Sequence, residues 1–304
     1  MVETAPSLRL ALGPLHYEFQ VHDAWGQDAL ACLQRSLDCV TFSDIPDRVI
    51  HLLECRLTPR ERAQINADVL PDRLVALLPE GSPTQDWILT GDETGYMSWC
   101  HAGTHHTIWT YNTIPVECHA PFQLPWQPVF QDIVALGGGV FHGGLAALHG
   151  RGYLITAPPG GGKTTAISRL PASWQVLSDD AALIWPGIDR VFWASPLPTW
   201  SVLLRRNAAL TAIGRWRVGA STAVGALILL KQAGEERLDL LRPIEAAPHL
   251  YQALSEHPRV VSNRDPFRQA LFHAACALAR ARPMWQLELT RTGAFWNVLQ
   301  EALA

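Results

Sequence analysis

Leu154-Ile-Thr-Ala-Pro-Pro-Gly-Gly-Gly-Lys-Thr-Thr165 is the stretch whose reading decides the fold. The apolar Tyr153–Ala157 reads as a buried strand. Gly160-Gly161-Gly162 reads as a tight turn, and Thr164–Leu170 as a helix that Pro171 ends. A strand that breaks into glycines and restarts as a helix turns its backbone N–H groups inward, around an anion. The helix start adds partial positive charge. In that arrangement Lys163 would reach the β- and γ-phosphates of a nucleoside triphosphate such as ATP, and the Thr164 hydroxyl would ligate Mg²⁺. The expected binding segment is Ala157, Pro158, Pro159, Gly160, Gly161, Gly162, Lys163, Thr164 and Thr165. The usual form of this loop starts with glycine, whereas Ala157 holds that place here and Pro158 and Pro159 stiffen the loop.

Working downstream, Trp174–Leu177 reads as a strand that runs into Ser178-Asp179-Asp180. Those acids fall at the same end of the sheet as the glycine loop, the edge where open α/β sheets bind ligands. One carboxylate could serve Mg²⁺ directly or through water, and the other could take a proton from an attacking hydroxyl. Ala182–Trp185 and Val191–Ala194 read as strands joined at Pro186-Gly187, and Ala223–Lys231 as a strongly apolar strand. Ile244–Ser255, Phe267–Ala281 and Gly293–Ala304 read as helices, with Trp285–Thr290 as a strand. Strands alternating with helices imply an α/β domain.

Upstream, the pattern changes. Trp25–Ser36 reads as a short helix and Asp47–Leu53 as a strand. Thr58–Asp68 reads as a helix capped by Thr58 with Glu61 three residues on. Trp87–Thr90, Tyr96–His101 and His106–Tyr111 read as strands. Four prolines between Pro115 and Pro128 mark a linker or crossing segment, and two short strands flank the glycines of Phe130–Leu148. The expected division is a smaller α+β domain over 1–125, a candidate for substrate recognition, and a nucleotide-binding domain over 126–304.

Composition limits the partners. The 304 residues are 48% hydrophobic and 17% charged, enough apolar matter for a sizeable core. A net charge of -4 disfavours a nucleic-acid partner. No apolar run is long enough to cross a bilayer as a helix. Six cysteines without a C-x-x-C pair, and no signal-peptide pattern at the start, lead us to expect reduced thiols in a cytoplasm.

Taken together, His142–Pro186 resembles the kinase domain of HPr serine kinase/phosphorylase, on His142-Gly143, Ala157–Thr165 and Asp179-Asp180 in that order. Residues 1–125 do not look like that family's N-terminal domain. The chain is more similar to the HPr-kinase-related proteins of peptide-modification cassettes, among them lasso-peptide kinases and the SynChlorMet cassette protein C group. Leu197-Pro198-Thr199-Trp200-Ser201 is similar to a segment of the latter. The resemblance implies an α/β P-loop kinase domain of the HPr kinase and phosphoenolpyruvate carboxykinase type. It implies ATP and Mg²⁺ as cofactors, and transfer of a phosphoryl group to a serine-type hydroxyl. By position, it implies Asp179 as catalytic base, Asp180 and Thr164 on the metal, and His142 with Lys163 at the phosphates. The two aspartates could exchange roles.

A peptide or small-protein acceptor, other peptide-maturation enzymes and a second copy of the chain are the partners this picture allows. A nucleotide-binding scaffold without transfer activity, and the reverse phosphatase or phosphorylase direction, stand on the same residues. Arg205, Arg206, Lys231, Arg264 and Arg291 are further cation candidates. Cys100, His101, His105 and His106, with Cys118 and His119 nearby, suit a histidine-rich hairpin better than a zinc motif. Trp99, Trp109, Trp126, Trp200 and Trp216 are expected to pack in the ordinary way, with a peptide groove as the alternative.

Overall fold

The computed structural model describes residues 7–24, 26–27, 30–31, 34, 46–54, 58–66, 69–76, 87–91, 96–101, 106–111, 126–197, 219–256, 265–291, 293 and 295–303. It is a mixed α/β structure that separates into two compact units, Met1–Val129 and Phe130–Ala304.

The first unit holds a six-stranded sheet in the order β1-β2-β3-β6-β5-β4. β1 (Ser7–Leu12) and β2 (Leu15–Val21) form an antiparallel hairpin across a two-residue turn. Leu8, Leu10 and Leu12 alternate with more exposed residues, so their common face is buried, as the two-residue strand period requires. β3 (Arg48–Glu54) runs parallel to β2 and to β6 (His106–Tyr111), and β6-β5-β4 are antiparallel, with β5 at Tyr96–His101 and β4 at Trp87–Gly91.

Helix α1 (Pro59–Asn66) starts where its sequence signature says: the Thr58 N–H donates to Glu61 Oε2 at 2.7 Å, and the Glu61 N–H to Thr58 Oγ1 at 3.2 Å. Glu61 also receives the Arg73 guanidinium, from a second short helix, α2 (Asp72–Val75). Of the histidine-rich hairpin, Cys100 and His101 lie in β5 and His106 in β6, with Cys100 opposite Thr107. His105, Cys118 and His119 lie outside the described residues, and no group of three metal-ligating side chains occurs among those described.

The second unit is built around β13 (Thr222–Gln232), eleven residues long. It pairs in parallel with β9 (Arg151–Thr156) and with β15 (Met284–Leu289), and its first residues pair with β12 (Phe192–Pro196). The sheet continues as β10-β8-β9 on one side and β12-β11-β7 on the other. Here β7 is Gly139–His142, β8 Gly144–Leu148, β10 Gln175–Ser178 and β11 Ala181–Pro186. The sequence pattern missed β14 (Arg237–Leu241), which pairs only with β15 among the described residues. Its leucines are interrupted by Asp239, and Leu240 is exposed, so no apolar face is visible in the string.

A central strand covered on both faces reads as a continuous apolar run, which is why Ala226–Leu230 is buried without alternation. Ile155, Ile228, Leu230 and Leu287 share one core with Trp174, Phe295 and Trp296. Each such side chain contributes about 1.5–3 kcal/mol when fully buried. Helix α3 (Trp126–Ala135) leads into β7. The helix after the glycine loop, α4, is short (Lys163–Ile167) and is held by the Trp296 indole N–H, which donates to the Ala166 carbonyl at 2.9 Å. Trp296 belongs to the last helix, α7 (Phe295–Leu303). Helix α5 (Pro243–Ser255) opens on Pro243, with Glu245 returning to the Arg242 N–H at 2.9 Å, and packs on α6 (Asp265–Ala281).

In the first unit, Arg73 and the Thr58 N–H hold the Glu61 carboxyl down at about 2, from an ordinary 4.5, chiefly through the guanidinium hydrogen bond. A depressed carboxylate pKa contributes stability above the unfolded value that fades as pH falls through the folded one. Arg73 is 46% exposed, so the contribution is screened to about 1 kcal/mol. We predict that Glu61→Gln lowers the urea midpoint at pH 7, and that the gap from wild type closes as pH falls from about 4.5 toward 2.

Candidate functional site: a glycine-loop cleft at one sheet edge

Strand direction brings the site together. β8 is antiparallel to both β9 and β10, so the C-terminal ends of β9 and β10 lie at one edge of the sheet. The start of β8 and the end of β7 meet them there: Gly144 pairs with Ile155, and His142 with Ala181. Only Gly143 separates β7 from β8. A side chain at that position would press on the Phe141 ring at 2.3 Å and the Ile155 carbonyl at 2.4 Å, so only glycine admits so close a turn. The Gly143 N–H donates to the Asp180 carbonyl at 2.9 Å, and Thr156 Oγ1 donates to the His142 carbonyl at 3.2 Å. These bonds fix His142, the loop and the acidic turn relative to one another.

The loop 157–162 curls over that edge. Gly160 and Gly162 sit at φ +73 and +87, the left-handed region that other residues reach only at a cost of about 1–2 kcal/mol. The Gly161 N–H closes the curl on the Pro158 carbonyl at 2.8 Å. From the neighbouring strand, β13 extends three residues past its last partner on β9. Gln232 thereby donates from Nε2 to the Gly160 carbonyl at 3.2 Å. The pattern of the string gave no sign of this residue.

Inside lies a cleft of about 430 Å³, lined by His142, Ala157–Thr165, Asp180 and Glu256. That is within the size range of small-molecule sites. Lys163 Nζ donates to Asp180 Oδ1 at 3.0 Å, with the Lys163 side chain only 12% exposed. His142 Nε2 lies 3.5 Å from the same oxygen. This is not a charged pair. Burial, then the Lys163 charge, push the His142 pKa below its ordinary value, and the opposing pull of Asp180 and Glu256 does not restore it. His142 is therefore a neutral imidazole near pH 7.

The two aspartates part company. Asp180 fronts the cleft with its side chain 42% exposed, whereas Asp179 is buried at 6% and does not line it. The sequence reading also missed Glu256, which follows the last turn of α5 on the face that carries His249, Gln252 and Ala253. Of the other candidates, Lys231 pairs with Glu288 at 2.8 Å, and Arg291 offers its carbonyl to Arg169. Arg205, Arg206, Arg264, Trp200 and Trp216 lie outside the described residues.

The donor set suits a polyphosphate with a hard cation. One ammonium and a glycine cradle face the cleft. The Thr164 and Thr165 hydroxyls and the Asp180 and Glu256 carboxylates are the side-chain oxygens among its lining residues. Mg²⁺ accepts such sparse sites because it keeps its waters and takes phosphate oxygens.

The class this defines is a mixed α/β protein with a glycine-rich loop curled over one sheet edge. Over residues 122–304 the chain matches the family model described as SynChlorMet cassette protein ScmC, and since that is more than half its length, the chain belongs to that family. Among solved structures it is similar to the Hpr(Ser) kinase/phosphatase from Coxiella burnetii. The identity is 11%, the alignment covers 54% of this chain and 92% of that one, and the TM-score is 0.28, a likeness too slight to define the fold. No curated protein matches the chain significantly.

Gly162→Ala tests the cradle. The added methyl forces a left-handed alanine. We expect a loss of about 1–2 kcal/mol by urea denaturation and a weaker affinity for inorganic triphosphate, measured by calorimetry.

Proposed function

We propose that residues 126–304 are a P-loop phosphotransferase domain of the HPr kinase and phosphoenolpyruvate carboxykinase type. On this reading it binds ATP, or another nucleoside triphosphate, with Mg²⁺. It transfers the γ-phosphoryl group to a serine-type hydroxyl of a peptide or small protein in a peptide-modification pathway. The supporting observation is the convergence of Lys163, Asp180 and neutral His142 on one cleft walled by the glycine loop. Membership of a cassette family favours an acceptor and partners made by neighbouring genes. The domain over 1–125 is then the candidate acceptor-recognition module.

The acceptor oxygen forms a bond to the γ-phosphorus as the bond to the bridging oxygen breaks, and the diphosphate leaves. Lys163 gathers the phosphate oxygens. Thr164 would hold Mg²⁺, and the metal's part would be to neutralise phosphate charge. The hydroxyl proton passes to a carboxylate. The resemblance nominates Asp179; exposure favours Asp180, so we take Asp180 as the base, with its buried neighbour Asp179 outside the cleft lining. His142, being neutral, can donate one hydrogen bond to a phosphoryl oxygen without adding charge.

The experiment is incubation of the full chain with ATP, Mg²⁺ and peptides from neighbouring genes, read by mass spectrometry for a single added phosphate. Lys163→Met and Asp180→Asn should each lower transfer by about 10²-fold or more. Asp180→Asn should keep most of its nucleotide affinity. ATP binding with no phosphate gained by any peptide would leave a nucleotide-binding scaffold as the better reading.

A further inference from the structure

Charge within the cleft is unevenly matched. Lys163 is its one Lys or Arg lining residue among the described residues, and it is already engaged with Asp180 at 3.0 Å. On the phosphotransfer reading, on which this inference rests, a polyphosphate and its cation balance that end of the cleft. Glu256 remains among the lining residues. It is half-buried, and its partner is neutral: Gln252 Nε2 donates to Glu256 Oε1. No Lys or Arg pairs with it among the described residues. Its charge is felt across the cleft, since it pulls upward on the His142 imidazole.

Glu256 also borders a second space. A hollow of about 10 Å³ lies beside the start of the loop, between Thr156-Ala157-Pro158 and the α5 face that carries His249, Gln252 and Glu256. Glu256 lines both spaces, so its carboxylate sits where the cleft meets the α5 face.

We infer that Glu256 selects the acceptor: the hydroxyl that reaches the cleft carries an ammonium or guanidinium group close by, and Glu256 pairs with it. A half-buried carboxylate that no Lys or Arg neutralises among the described residues is open to pairing with an incoming cation. A cation beside the acceptor hydroxyl supplies it, and an acidic neighbour is repelled. The net charge of -4 works in the same direction at longer range.

Two synthetic peptides, each with one serine flanked by lysines or by glutamates, test this with the full chain. Transfer is followed with ATP and Mg²⁺, and binding is followed by fluorescence anisotropy in the presence of a non-hydrolysable ATP analogue. We expect wild type to favour the lysine peptide by about tenfold in kcat/KM and in Kd. Glu256→Gln should bring the two peptides near parity, and Glu256→Lys should reverse the order. Thermal melting shows whether each variant is folded, and Glu256→Gln, nearly isosteric, stands alone if the lysine variant is not. Equal use of both peptides by wild type, binding of neither, or a preference that persists in Glu256→Gln would overturn the inference. A charge preference that follows residue 256 in binding, with no transfer to either peptide, would overturn the phosphotransfer reading and leave the selective role of Glu256 standing.

Discussion

The Lys163 ammonium and the Asp180 carboxylate, 3.0 Å apart, join two segments that meet only because β8 runs antiparallel to both of their strands. Everything else at this sheet edge is arranged around that contact. The glycine loop delivers the lysine, and the β10–β11 turn delivers the acid. The single-glycine step from β7 to β8 brings His142 within 3.5 Å of the same oxygen. Lys163, with its side chain 12% exposed, has Asp180 as its anionic partner, and a phosphate oxygen has the same chemistry to offer. The pair therefore holds the lysine head at the wall of the cleft.

Much of this was legible in the string, and the reasons differ from part to part. The glycine loop could be read because a left-handed turn restricts composition: Gly160 and Gly162 occupy conformations that other residues avoid. The Thr58–Glu61 cap could be read because its contacts span three residues. β14 could not, since its pairing with β15 lies in neither its own alternation nor its neighbours. Gln232 and Glu256 were invisible for a related reason. Each acts across a distance of many residues, on a loop or cleft that local pattern does not place beside it. Order along the chain also could not say which of Asp179 and Asp180 fronts the cleft. Both acids lie in the turn between Ser178, the end of β10, and Ala181, the start of β11, where no strand alternation assigns a face.

The two units differ in how far their chemistry can be read. The second brings Lys163, Asp180, His142 and Glu256 to a cleft at one edge of its sheet. The first spreads its polar contacts through the sheet. Glu18 is buried at 7% and takes Arg9 at 2.8 Å and Gln20 at 3.0 Å, and His22 meets the fully buried His51 at 2.9 Å. Such networks are costly to leave half satisfied, and so they tend to fix one arrangement of the strands that carry them. The edge of the second unit presents its charged groups to a cleft.

Gln232 has a consequence for energetics as well as geometry. Its amide grips the Gly160 carbonyl, while the Gly161 N–H closes on Pro158, so the curl of the loop is set from both its outer and inner sides. A glycine-rich segment would otherwise sample many shapes, and an arriving anion would have to select one at an entropic cost. Preorganised in this way, the segment loses little freedom on binding, and more of the interaction energy is left to appear as affinity.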